Sequence, residues 1–127
     1  MLKEHYTKSE RHELMKLAPM VYDAELHQML EELDAKFVSW RRGDLAGGLL
    51  HQAIHEYHQN DARSLWSVHR ILKRDQVVAR GVALGFIKDE QLSSGLHAKL
   101  ASSIDWYKEM KEREDEPLEY DDEDDEE

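Results

Sequence analysis

The chain has 127 residues, enough for one domain with little room for a second. A hydrophobic content of 40% with only 2 Pro and 6 Gly predicts a packed core made of helices, against a turn-rich β fold. Cysteine is absent, which excludes disulfides, thiolate metal sites and thiol nucleophiles and suits a reducing, cytoplasmic setting.

The formal net charge is −11, but its distribution matters more than its size. Residues 112–127 hold 12 of the 28 acidic residues and one of the 17 basic ones, leaving 16 of each in residues 1–111. The expected organisation is a neutral helical domain over 1–111 and a disordered acidic tail over 112–127. The charged N-terminal stretch offers no signal peptide, and no apolar run approaches the length of a membrane span.

Thr7-Lys8-Ser9-Glu10 has the form of a capping box and opens a first helix to about Leu17. Pro19 is expected to interrupt it and to start a second helix over about Met20 to Arg42. Leu26, Leu30, Leu33, Phe37 and Trp40 recur there at spacings of four and three, a single apolar stripe. Gly43 suits the left-handed cap, and Asp44 the N-cap of the next helix.

A third helix begins near Leu45 and carries Leu49, Leu50, Ile54 and Tyr57, with a break or kink expected at Asn60-Asp61. It resumes over Ala62 to Leu72. Asp75 then caps a short buried helix over Gln76 to Leu84, ended by Gly85, with Phe86 and Ile87 turning inward as a connector. Ser93 or Ser94 opens the last helix, with Leu96, Leu100, Ile104 and Tyr107 on one face, and Pro117 marks the end of order. The sum is an all-α, irregular or orthogonal bundle of about five or six helices. The long Met20 to Arg42 helix packs against the histidine-bearing one.

Four strings, Trp40-Arg41-Arg42-Gly43-Asp44-Leu45, Ile54-His55-Glu56-Tyr57-His58, Ala62-Arg63-Ser64-Leu65-Trp66 and Val78-Ala79-Arg80-Gly81-Val82-Ala83-Leu84-Gly85, occur together. In these the chain resembles a group of small bacterial helical proteins without an established activity, over roughly Leu26 to Leu100. The resemblance implies a helical fold and a bacterial cytoplasmic origin; it brings no catalytic residue with it.

Three constellations invite chemistry or binding; one is the acidic tail, which can maintain solubility, bind a basic partner, mimic nucleic-acid charge or cover the chain's own basic patch. His51, His55 and His58 stand at i, i+4 and i+7, a spacing at which imidazoles can share a divalent transition metal, with Glu56 or Asp61 as added oxygen ligands. Three ligands from one straight helix cannot surround a metal, and the two-residue gap between His55 and His58 falls short of the zincin pattern. The plainer expectation is that these histidines edge the core and bond to helix ends or carboxylates. Arg63, Arg70, Lys73, Arg74 and Arg80 form a basic stretch that could meet phosphates, with Trp66 available for stacking, or simply line a solvated helix face.

No glycine loop cradles phosphate, no serine sits in a nucleophile elbow, and no cofactor motif occurs. The expected function is therefore non-enzymatic: a small interaction or regulatory module whose partner is a protein or a second copy, the long helical stripe leaving room for a homodimer seam. A histidine-coordinated metal protein, perhaps hydrolytic, is the alternative, and weak nucleic-acid binding the third.

Overall fold

The computed structural model describes residues 5–116, and within them the chain is all-α, with no strand. Helix α1 spans Lys8–Arg41, α2 Gly47–Glu56 and α3 Ala62–Ile71, with a π-helical turn, Tyr57–Asp61, joining α2 to α3 without interruption. Helix α4 spans Arg74–Ala83, a 3-10 turn covers Asp89–Gln91, and α5 spans Ser94–Asp115. The described residues thus make four helical bodies, where the sequence pattern predicts five or six.

The difference arises at two places. Pro19 does not divide α1, which runs through it for 34 residues, roughly 50 Å at 1.5 Å per residue. Pro19 and Met15, whose carbonyl loses its N–H partner, both lie on the exposed side of the helix. Asn60-Asp61 does not break the second rod either, because the π turn absorbs one extra residue there. In an unbroken α-helix Leu65 would point about 60° away from Leu50. The wider turn brings both back to one side, and both are buried.

The caps follow their chemistry in part. Thr7 and Glu10 form the full capping box, Ser93 caps α5, and Gly43 and Gly85 adopt φ of 84° and 85° after α1 and α4. Asp44 and Asp75 do not cap: Ala46 and Lys73 hold those positions without a side-chain bond. Asp75 instead accepts from the Tyr6 hydroxyl at 2.8 Å and from the Gln76 amide at 2.9 Å. The valine-rich run is helical, as expected, and buried on almost every side because α4 lies between α1 and α5.

The core occupies one end of the molecule. Leu14, Leu17 and Val21 of α1 meet Val77, Val78, Ala79 and Val82 of α4 and Leu96, Leu100 and Ile104 of α5, closed by Ile87 and Leu92. At Gly81 a Cβ would fall 2.5 Å from the Val21 side chain, so α1 and α4 approach closely over a residue where even a methyl group would displace Val21. Beyond this base, the second half of α1 pairs with α2 and α3 to form a two-helix arm. Helix α5 reaches Asp115, past the start expected for the tail, with Glu116 as its C-cap; residues 117–127 of that tail lie outside the described residues. No described helix is long and apolar enough to cross a membrane.

Candidate interaction face

Base and arm meet at a buried polar junction. Glu25 is buried on α1, and its two oxygens accept from Arg80 Nη1 at 2.8 Å and Nη2 at 3.0 Å, a bidentate pair from α4. From α3, His69 Nε2 stands 3.1 Å from Glu25 Oε1, and its ring meets Tyr22 edge-on at 4.9 Å. One carboxylate therefore ties three helices. Glu25 continues the spacing Glu10, Leu14, Leu17, Val21 along the buried side of α1. That signal is visible only when the helix is read through Pro19.

A second tie closes the base. Lys99 Nζ donates to Glu10 Oε1 at 2.6 Å and to the His5 carbonyl at 2.7 Å. The Lys99 ammonium, aided by the Thr7 amide, holds the Glu10 carboxyl below its usual pKa. No buried side-chain nitrogen or oxygen among the described residues lacks a partner.

The arm is built differently. Only Leu50 and Leu65 are buried there, whereas Leu30 is 45% exposed, Trp40 45%, Ile54 38% and Trp66 53%. Not one residue of the stripe Leu26, Leu30, Leu33, Phe37 and Trp40 is fully buried. Helix geometry shows where these side chains point. Met29, Glu32, Leu33 and Lys36 line one small cleft with Ala53, Glu56, Tyr57 and Asp61, which marks one flank of the seam between the two rods.

At about 100° per residue, Leu26, Leu30 and Phe37 turn to the opposite flank, as do Ile54, His58 and, beyond the π turn, Trp66. The Trp40 ring joins them, because its Nε1 lies 3.7 Å from where a Cβ on Gly47 would stand. Arg70 lies over Trp66, 5.0 Å from the ring centroid, at the rim. The arm thus has a charged flank, with the cleft, and an apolar one. Leu49 and Ile71, also exposed, lie outside the apolar flank.

The histidine run falls beside this face. His51, His55 and His58 are exposed, and none bonds to a described side chain. They edge the apolar face, not the core. No group of three or more His, Asp or Glu converges on a metal-sized site among the described residues.

The basic stretch is divided. Arg80 turns inward to Glu25, Arg70 covers Trp66, and Arg63, Lys73 and Arg74 are exposed. An open depression of about 430 Å³ lies beside Asp89, Glu90, Leu92, Ser94 and His97. There His97 Nε2 lies 2.7 Å from Asp89 and lowers the pKa of that carboxyl.

No known protein family, curated protein or solved structure matches the chain.

Proposed function

We propose that the protein is a small, non-enzymatic helical interaction module of the bacterial cytoplasm, and that the apolar flank of the arm is its binding surface. One observation carries this reading. On one flank of the arm the exposed Leu30 and Trp40 and the half-buried Leu26 and Phe37 stand beside the exposed Ile54 and Trp66, so the α1 stripe is only partly covered by its own chain. Apolar area of this continuity on a soluble chain marks a contact with another molecule. Exposed tryptophans with an arginine at the rim are the residues that dominate binding energy in such contacts. The cysteine-free composition supports the reducing compartment. The Glu25 junction holds the arm at a set angle to the base, a structural role.

The test compares the immobilised full chain with an Ile54→Asp/Trp66→Asp variant in an extract of its own cell. A protein, the chain itself included, held by the first at stoichiometric level and released by the variant supports the reading. Identical retention by both overturns it.

A further inference from the structure

We infer that the apolar flank of the arm is closed by the same flank of a second copy, the twofold axis running along the arm so that α1 of each copy lies over α2 and α3 of the other. This deepens the reading of the flank as a binding surface and rests on it. Four features converge on a second copy.

The first is completeness. A pair of antiparallel helices with one apolar side lacks a second layer, and a second such pair supplies it as a four-helix bundle with a shared core. Leu30, Phe37, Ile54 and Trp66 then become interior positions, which is what the spacing of the α1 stripe prescribes.

The second is access. The α1 residues that face the base, Glu10, Leu14, Leu17, Val21 and Glu25, define the side against which α4 and α5 pack. By helix rotation that side is nearly diametrically opposite Leu30 and Phe37. Among the described residues α4 and α5 therefore pack on the side of α1 away from the flank, which leaves two arms room to lie together.

The third is area. Residues 23–41 of α1 give a face roughly 30 Å long, and two helices give a width of about 20 Å. Its projection is about 600 Å², which side-chain relief raises toward the ~800 Å² per partner of a stable complex. Trp40 and Trp66, about half exposed, contribute roughly 100 Å² each.

The fourth is charge. Along the α1 edge of the flank stand Asp23, His27, Glu31 and Asp34; along the other edge stand His51, His55, His58, Arg63 and Arg70. The antiparallel pairing sets Leu33 beside Tyr57 and Glu25 beside His69. Asp34 and Glu31 are therefore level with His55 and His58, and Asp23 is level with the stretch from Arg63 to Arg70.

A twofold axis along the arm preserves these levels and exchanges the edges. The acidic edge of one copy then faces the partner's His55, the partner's His58 and the partner's Arg70, while Arg41, level with the partner's His51, and His27, bonded to Glu31 of its own helix, lack an acidic neighbour across the seam. An axis across the arm would instead set the acidic α1 edge against the partner's acidic α1 edge and histidine edge against histidine edge. Complementary edges select the first arrangement.

Sedimentation of the untagged full chain at tens of micromolar tests this, with helicity checked for every variant by circular dichroism. The wild-type chain should run at twice its 14.9 kDa mass. Ile54→Asp/Trp66→Asp should run as a monomer with unchanged helicity. Asp34→Lys and His58→Glu should each weaken the dimer, by about tenfold for two partly exposed charge pairs. Their combination in one chain should recover most of the loss.

A wild-type monomer overturns the inference, as does a dimer indifferent to Ile54→Asp/Trp66→Asp. A combined variant weaker than either single one overturns the stated axis. A monomer that still captures a different protein through Ile54 and Trp66 sinks the second copy alone and leaves the interaction module standing.

Discussion

Glu25 concentrates much of what holds this molecule in shape. A carboxylate buried at the meeting of three helices is stable there because Arg80 supplies two charge-assisted hydrogen bonds and His69 a third contact. Removing it leaves a guanidinium and an imidazole facing a void. Glu25→Ala should therefore cost about 2–4 kcal/mol in urea unfolding, and more than Glu31→Ala on the exposed side of the same helix; equal costs would deny Glu25 its tie.

Glu10 gives a pH signature. Its carboxyl is held below the usual range by Lys99, so its contribution is complete above the ordinary glutamate pKa and fades as pH falls through the lowered one. The stability gap between wild type and Glu10→Gln should be widest near neutrality and close in acid, read from denaturation midpoints between pH 7 and pH 2. The Glu10 capping box was legible in Thr7-Lys8-Ser9-Glu10. Glu25 was not, since breaking the helix at Pro19 hid its position four residues after Val21.

Among the elements, the π turn decides whether the arm exists. It carries one residue more than an α-helical path would, and it restores the phase of α3 so that Leu65 and His69 face α1. Deleting Gln59 should turn this segment into regular α-helix, keep α3 in phase and change stability by less than about 1 kcal/mol. Deleting Ser67 should rotate the last turn of α3 by about 100°, pull His69 from Glu25 and lower the melting temperature clearly. The reverse ranking would show that phase is not what the turn provides.

At Gly81 a methyl group would collide with Val21, so Gly81→Ala should cost about 1–3 kcal/mol through separation of α1 and α4. Glycine caps at Gly43 and Gly85 were readable from sequence because each ends an apolar-periodic run. The π turn was not, because Asn60-Asp61 breaks and π turns share the same local polarity.

For the whole molecule, the apolar stripe from Leu26 to Trp40 was the strongest signal in the sequence, and helix formation there followed from it. Its destination could not be read, since a stripe has the same spacing whether its own chain or another covers it. Burial separates the two: α1 hides Leu14, Leu17 and Val21 against the base and leaves Leu30 and Trp40 open on the arm. The histidine run was likewise conspicuous by spacing, yet its place along the edge of the apolar flank required the fold.

Because the chain contains no cysteine, introduced thiols can report on a pairing of copies without interference. Asp34→Cys and His58→Cys, combined in one chain, lie on outer edges of the same arm, separated by its width. Across the twofold axis proposed above, each thiol meets the other type on the second copy. On mild oxidation the combined variant should close into a covalent species of twice the 14.9 kDa chain mass, while Asp34→Cys alone and His58→Cys alone should stay largely uncrosslinked. A combined variant that remains monomeric, or an Asp34→Cys chain that crosslinks as readily by itself, would contradict the pairing of the two arms.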